Sequence, residues 1–288
     1  MAKLMDHRQE LEGEVANMWR CTAVAALVHG LPDSPFTEED VLHAIGTLQT
    51  NTVSTGVPGH SQGLGLYPTF SLLSHSCTAN ARYQVLADRG LVLRAQVPIK
   101  QGEEVTIHYM TPMLGTVARR TKIRKNWFFD CCCPRCSDPT ELGTFSSGLV
   151  CQECRREGRG GILLPRQALE YSSTWSCSQE SCISSETAER VETMVGELEQ
   201  QLEVEGEGPE GLQSLLVSWS ERLHPHHYLV MLVKRRLLAA LHLSSSHGKP
   251  SRSGDSCYYS SYHRFSYYCS SYYYSSLSGT RKHDEFNL

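Results

Sequence analysis

Closely spaced cysteines constrain the fold of this chain more than any other feature. The chain has 12 cysteines, and they crowd together in "CCCPRC" (131–136) and "CQEC" (151–154). The charged N-terminal sequence lacks the apolar run of a signal peptide, and the run 21–30 is too short to cross a bilayer. We therefore expect an intracellular chain with no membrane segment, whose cysteines bind metal or react rather than form a disulfide framework.

The first cysteine group has the spacing of a zinc site that lacks one ligand. Cys131, Cys133 and Cys136 form C-x-C-x-x-C, which can aim three sulfurs at a zinc ion about 2.3 Å away. Structural zinc takes four ligands, and Cys77 is the candidate for the fourth because it lies in a polar loop and is otherwise unexplained. Cys132 should point the other way along an extended backbone. The alternative is a group of buried cysteines without metal.

The second cysteine group resembles a zinc ribbon. "CQEC" has the spacing of a zinc knuckle, the later pair is a looser C-x4-C, and "GGILLP" between the pairs supplies a turn and a strand. The sequence therefore predicts a second zinc site. Because small metal-bound loops fold with their metal, chelation should loosen residues 131–182 before the helices melt. The predicted ligands of this site are Cys151, Cys154, Cys177 and Cys182.

The first 110 residues contain both helix and strand patterns. Apolar residues at helical spacing predict helices within 6–48, with Thr37 as the cap of the second one. The Gly, Ser and Thr residues of 50–66 predict a loop. Residues 81–110 contain β-forming residues around two turn signals, which predicts a hairpin and a third short strand ending at Tyr109.

A basic segment at 116–129 predicts a helix that ends in "WFF". We expect its charges to form a solvated helix face. The alternative is a nucleic-acid contact, but the net charge of −4 and the pI near 6.4 give no overall basic field, so a nucleic-acid partner is not expected. The basic residues are Arg119, Arg120, Lys122, Arg124 and Lys125.

The C-terminal part divides into a helical region and a tail of different composition. Three amphipathic patterns within 186–243 predict a helical bundle or a degenerate helical repeat, with Pro225 in the first turn of the last helix. In the tail, eight of the 13 tyrosines of the chain lie between 258 and 274 in a Ser/Tyr background with almost no aliphatic residues. We expect this tail to stay disordered because it cannot build a core.

With these residues placed, the chain resembles the SET-domain protein methyltransferases, and within them the SMYD (SET and MYND) branch, particularly its arthropod members. The resemblance rests on "SHSCTAN" (74–80) for the motif N-H-S-C-x-P-N, "GEEVTIHY" (102–109) for G-E-E-x-x-x-x-Y, and "FFDCCCPRC" (128–136) for the cysteine-rich post-SET segment. Two positions depart from the family pattern, since Ser74 replaces Asn and Ala79 replaces Pro.

The resemblance implies transfer of a methyl group from S-adenosylmethionine (AdoMet) to a lysine of a histone or non-histone protein, with further regulatory protein partners bound by the helical region. In such a transfer the site must align the lysine amine with the methyl group, and the amine must lose its proton to solvent. Oxygens and aromatic faces must stabilise the positive charge, but no strong acid or base is needed. The resemblance makes Tyr109 the catalytic tyrosine and Cys77 the fourth ligand of the first zinc. It implies these cofactor-binding residues: Ser74, His75, Asn80 and Phe129.

The resulting expectation is an α+β chain that contains a partial, β-rich SET fold. Its parts are a helical insert region (1–66), the C-terminal half of the SET domain (67–112), a zinc-binding post-SET and ribbon-like region (113–185), a TPR-like helical bundle (186–243) and the disordered tail (244–288). The N-terminal SET strands with their Gly-x-Gly loop and the MYND finger are not found, so we expect a truncated product. The alternative function is an inactive, zinc-stabilised interaction module or transcriptional regulator.

Overall fold

The computed structural model describes five stretches of the chain, with gaps between them. Residues 8–21 of the predicted helical segment 6–48, and residues 246–288 of the predicted tail 244–288, lie outside the described residues. The described residues are 4–7, 22–30, 33–56, 63–206 and 208–245.

Helix α1 (Glu38–Asn51) begins where the sequence predicts a cap and follows a short π-helical turn at Ala25–His29. The Thr37 hydroxyl accepts a hydrogen bond from the Asp40 N–H at 3.2 Å, and the Asp40 carboxylate accepts one from the Thr37 N–H at 2.9 Å. This reciprocal pair satisfies two N–H groups that a helix start would leave without partners. The predicted cap is confirmed.

Two short strands lie within 50–66, where the sequence predicts a loop, and residues 57–62 between them lie outside the described residues. β1 (Thr52–Ser54) pairs antiparallel with β2 (Leu64–Leu66). The prediction took Gly65 as a loop residue, but a Cβ at this position would lie 2.6 Å from the Tyr67 ring and 2.7 Å from the Thr55 methyl group. Glycine here allows close packing within a strand rather than a flexible turn.

A hairpin and a parallel pair of strands, in separate two-stranded sheets, lie within residues 67–112, here called the SET-like region. β4 (Ala81–Val85) and β5 (Leu91–Ala95) pair antiparallel around the turn that the sequence predicts. β3 (Ser74–His75) pairs in parallel with β6 (Thr106–Ile107), which brings "SHSCTAN" beside "GEEVTIHY".

The third predicted strand ends at Ile107 rather than at Tyr109. The Tyr109 N–H donates to the His75 side chain at 3.1 Å, so it has no part in a backbone ladder.

Helix α2 (Thr116–Trp127) is followed by the short helix α3 (Pro134–Ser137). The prediction that the basic residues of α2 form a solvated face holds for Arg124 and Lys125 but is wrong for Arg119 and Arg120. These two side chains belong to residues that are 0% and 5% exposed. Each is buried because it finds acceptors inside the protein.

The second cysteine group belongs to a four-stranded antiparallel sheet. Its strands are β7 (Leu149–Val150), β8 (Ile162–Pro165), β9 (Trp175–Cys177) and β10 (Ser185–Glu186). They lie side by side in the order β10-β9-β8-β7, and a single-turn helix, α4 (Gln152–Arg156), lies between β7 and β8 in the chain.

Three helices complete the described chain: α5 (Ala188–Glu205), α6 (Gly208–Trp219) and α7 (Tyr228–Ser245). Pro225 lies in the turn before α7, and not in its first helical turn as the sequence suggested, because the helix starts three residues later. The TPR-like character of this region stays a prediction. Among the described residues, the helices fall short of the length and apolar character that crossing a bilayer requires.

The ribbon and the three helices share one hydrophobic core. Leu149, Leu163 and Trp175 of the ribbon pack in the same cluster as Leu198 and Leu215 of the helices. A second, smaller cluster lies around the first cysteine group. The packing therefore joins the ribbon to the helices and leaves the first cysteine group with the SET-like region.

Candidate metal centres and aromatic site

The structure brings Cys77, Cys131, Cys133 and Cys136 into one cluster, here called cluster 1. Their sulfur atoms all lie within 4.8 Å of one another, and Cys77 Sγ lies 3.6 Å from Cys136 Sγ and 4.0 Å from Cys131 Sγ. Four sulfurs at about 2.3 Å from one zinc ion are about 3.8 Å apart in a tetrahedron. The donor set and its spacing fit a structural zinc ion.

Local geometry explains how three of these sulfurs converge. Cys133 is the N-cap of α3, Pro134 occupies the first helical turn, and the Ser137 N–H donates to the Cys133 carbonyl at 3.0 Å. The tight turn buries Cys136 next to its neighbours, whereas Cys132 is exposed. Cys132 therefore lies outside the cluster, as the extended backbone suggested.

The second group, here called cluster 2, also has its four sulfurs within 4.8 Å of one another. Cys151 Sγ lies 3.7 Å from Cys182 Sγ, and Cys154 Sγ lies 3.6 Å from Cys177 Sγ. A Cβ at Gly161 would lie 2.7 Å from Cys154 Sγ and 2.8 Å from Cys177 Sγ. Glycine at this position leaves the space that the sulfurs occupy, and cluster 2 also fits a tetrahedral thiolate site for zinc.

His75 connects cluster 1 to Tyr109. Its Nδ1 accepts a hydrogen bond from the Tyr109 backbone N–H, so a neutral ring carries its proton on Nε2, which lies 3.4 Å from Cys77 Sγ. The Tyr109 hydroxyl donates to the Leu73 carbonyl at 2.6 Å. Tyr109 is thereby bonded to the segment around Cys77 twice, through its backbone N–H to His75 and through its hydroxyl to Leu73.

Asn80 fastens the same motif to the start of β6. Its Oδ1 accepts from the Thr106 N–H at 2.8 Å, and its Nδ2 donates to the Glu104 carbonyl at 2.8 Å. The residue is 9% exposed, so these bonds satisfy its amide inside the protein. Both Asn80 and His75 use their polar atoms on protein groups, whereas Ser74 and Thr78 of the same motif are exposed to solvent.

Aromatic rings surround Tyr109. The Tyr109 ring lies 5.3 Å from the His75 ring, 6.4 Å from the Phe129 ring in an edge-on arrangement, and 5.3 Å from the Trp127 ring. Sequence reasoning selected Phe129 from its place before Cys131 but missed Trp127. The "WFF" end of the predicted helix is the signal that could have found it.

Burial changes the proton affinities at this site. Burial raises the pKa of the Tyr109 phenol, with a smaller contribution from Glu104, and burial lowers the pKa of the His75 imidazole. Both shifts favour the uncharged forms. The site therefore presents a neutral hydroxyl and a neutral imidazole near neutral pH, together with aromatic faces and backbone carbonyls. Such surroundings suit a cation better than an anion.

Arg119 is the second functional candidate that sequence reasoning missed. Its Nε donates to Cys77 Sγ at 3.2 Å and one of its terminal nitrogens donates to Cys136 Sγ at 3.6 Å. The same guanidinium forms a 2.6 Å ion pair with the buried Glu141 carboxylate. Nothing in the periodicity of α2 separates this arginine from the basic residues that remain in solvent.

Comparison with known proteins finds similarity to the SET domain family and to SMYD-type proteins. Residues 6–110 match the SET domain family. The chain is 32% identical over 142 residues to the SET domain-containing protein SmydA-8, isoform A, of Drosophila melanogaster, an alignment that covers 48% of this chain and 30% of the relative.

Two human relatives carry enzymatic names. The chain is 43% identical over 74 residues to the histone-lysine N-methyltransferase SMYD3, which covers 26% of this chain and 17% of the relative. It is 28% identical over 149 residues to the protein-lysine N-methyltransferase SMYD4, which covers 49% of this chain and 17% of that relative. The chain thus spans about a third or less of the length of the curated relatives it matches.

Proposed function

We propose that this SMYD-type SET chain takes part in AdoMet-dependent methylation of a lysine on a histone or another protein. The observation that carries the proposal is the position of Tyr109, whose hydroxyl is fixed on the Leu73 carbonyl while its ring lies among His75, Trp127 and Phe129. The match to the SET domain and the names of the two human relatives support the same reaction class.

The residues present fit a sulfonium cofactor. AdoMet, when bound, supplies a methyl group on a positively charged sulfur. Aromatic faces and carbonyl oxygens stabilise such a cation. The rings of Trp127 and Phe129 lie beside the Tyr109 ring. Ser74 and Phe129 are the side chains proposed to contact the cofactor, and His75 and Asn80 hold the loop in place through their hydrogen bonds to backbone.

Tyr109 has the chemistry that the transfer requires. Because its hydroxyl proton is directed to the Leu73 carbonyl, the lone pairs of its oxygen remain able to accept from a substrate amine or a polarised methyl group. Its raised pKa keeps it protonated, so it orients and stabilises rather than removes the proton. A lysine amine that has already lost its proton to solvent is the nucleophile that suits this site.

Two zinc ions are proposed to hold the surroundings of this site. The ligands would be the thiolates of cluster 1 and cluster 2, whose sulfur distances match tetrahedral coordination. Cluster 1 would tie the Cys77 loop to the segment of Phe129, and cluster 2 would hold the ribbon. Zinc supplies a structural role here, since four thiolates leave no open position for a substrate.

Calorimetric titration of AdoMet, together with transfer of labelled methyl groups to histones and to lysine-containing peptides, tests the proposal. Tyr109→Phe should retain AdoMet binding and lower methyl transfer by about 10²-fold or more. Tyr67→Phe is the matched control, because the Tyr67 hydroxyl also donates to a backbone carbonyl, that of Arg89, at 2.6 Å. This control should keep wild-type transfer.

Absence of binding heat at millimolar AdoMet would refute the cofactor assignment for this chain. Equal activity of Tyr109→Phe and the wild type would refute the role of the tyrosine. Either outcome would favour the alternative of a zinc-stabilised interaction module.

A further inference from the structure

The buried charges around cluster 1 do not balance among themselves. Arg119 and Arg135 both pair with the Glu141 carboxylate, at 2.6 Å and 3.1 Å, and the side chain of Glu141 is only 2% exposed. Two largely buried guanidinium groups therefore share one carboxylate. A buried cation without a matching anion is strongly destabilising, so further negative charge is required nearby.

Cluster 1 with a bound zinc ion would supply that negative charge. Four thiolates on one divalent ion carry a net negative charge, and two of the sulfurs, those of Cys77 and Cys136, accept hydrogen bonds from Arg119. Arg119 is 0% exposed, so its guanidinium has no access to solvent as an alternative partner. Protonated, metal-free thiols would leave the two arginines with one carboxylate between them.

The same guanidinium groups hold the backbone that follows Tyr109. Arg119 donates to the Leu114 carbonyl, and Arg135 donates to the Pro112 carbonyl at 2.8 Å. On the other side, Cys77 accepts from Arg119 and lies 3.4 Å from His75 Nε2, whose other nitrogen bonds to the Tyr109 N–H. Hydrogen bonds therefore hold the Tyr109 N–H and the carbonyls of Pro112 and Leu114. The side chains that form these bonds, His75, Arg119 and Arg135, lie around cluster 1.

We propose that Arg119 is a positioning residue that couples the metal-bound state of cluster 1 to the placement of Tyr109. Its charge stabilises the zinc thiolates, and in return the thiolates hold Arg119 where it donates to the Leu114 carbonyl, five residues after Tyr109. The importance of Tyr109 rests on the proposed function. The link between Arg119 and the zinc of cluster 1 does not.

Zinc release into an excess of chelator tests the first half of this proposal, with cluster 2 as an internal reference. The sulfurs that accept from Arg119 are those of Cys77 and Cys136 in cluster 1, whereas Cys177 of cluster 2 accepts from the Gln179 N–H at 3.4 Å. Loss of the Arg119 charge should therefore leave the zinc of cluster 2 unaffected. Arg119→Met should weaken zinc binding at cluster 1 by about 10- to 100-fold. Arg119→Lys, which retains the charge, should recover part of this loss.

Arg120→Met is the matched control. Arg120 is also buried on α2, but it donates to the carbonyls of Cys131 and Leu169 rather than to sulfur. If Arg120→Met releases the zinc of cluster 1 as fast as Arg119→Met does, or if Arg119→Met releases both ions alike, the effect is general destabilisation and the proposal is overturned.

Hydrogen–deuterium exchange tests the coupling to Tyr109 without substrate or cofactor. Arg119→Met should raise exchange in residues 72–80 and 106–114 in the zinc-loaded protein, and unchanged exchange there would overturn the coupling. If Arg119→Met does not fold, Arg119→Lys loaded with cobalt(II) replaces it. Its sulfur-to-cobalt charge-transfer band should shift from that of the wild type, and an unshifted band would overturn the proposal.

These measurements separate the two proposals. A wild-type chain that binds no AdoMet but shows the expected zinc and exchange effects would refute the enzymatic function alone. A chain that binds AdoMet but shows no effect of Arg119→Met on zinc would refute the role of Arg119 alone.

Discussion

Loss of zinc from cluster 2 should unfold the three C-terminal helices, whereas loss of zinc from cluster 1 should spare them. From spacing alone, chelation is expected to loosen residues 131–182 before any helix melts. The structure leads to a different expectation, because Leu149, Leu163 and Trp175 of the ribbon complete the core of α5, α6 and α7. A ribbon that opens without its metal removes these side chains from the helices.

The structure sets the size of this effect. Leu149, Leu163 and Trp175 are only 3–5% exposed. Burial of a large apolar side chain contributes about 1.5–3 kcal/mol, so the three together contribute roughly 4–9 kcal/mol. This is an upper range because an unfolded chain already buries part of its apolar surface. It is still comparable with the total stability of about 5–15 kcal/mol that a typical domain has.

Cys182→Ser and Cys133→Ser form a matched pair for the measurement, because both cysteines are partly exposed ligand candidates. Metal analysis should find one zinc ion in each variant. Hydrogen–deuterium exchange should show residues 191–242 unprotected in Cys182→Ser and protected in Cys133→Ser, and thermal melts followed by far-ultraviolet circular dichroism should agree.

The contrast between the variants rests on cluster 1 belonging to a separate small core around Ile123. The reasoning would be refuted if, in Cys182→Ser, the three helices stay fully protected from hydrogen–deuterium exchange while the ribbon loses its protection. They would establish the ribbon and the helices as independent units.

Two further predictions concern single buried side chains. Asn80→Leu leaves backbone groups of residues 104 and 106 without partners and should cost about 1–3 kcal/mol for each in urea denaturation, whereas Asn126→Leu on exposed helix surface should change stability by less than about 0.5 kcal/mol. Burial, with a smaller effect of His224, lowers the pKa of His227 from 6.5 to about 3. Between pH 6.5 and pH 3 the unfolded chain therefore binds a proton on this histidine that the folded chain does not bind. Stability should therefore fall as the pH decreases from about 6.5 toward 3, and His227→Gln should remove that part of the slope; equal slopes would contradict the assignment.

Sequence spacing was sufficient wherever the chemistry is local. The C-x-C-x-x-C pattern confines three sulfurs to one turn because few residues separate them, and α3 realises that turn. The Thr37 cap and the hairpin of β4 and β5 were predictable for the same reason, since each depends on neighbours within a few residues. Even the partner role of Cys77 followed from the count of zinc ligands.

The long-range contacts other than that of Cys77 were decided by the tertiary structure. Arg119 and Arg124 lie on the same basic helix. Arg119 is nevertheless buried against the sulfur of Cys77, 42 residues away in sequence, whereas Arg124 is exposed. The parallel pairing of β3 with β6 and the shared core of the ribbon and helices likewise join segments that are distant in sequence. Periodicity describes which face of an element is apolar, but the partner that covers the face, or the charge that a buried arginine meets, depends on how all elements pack together.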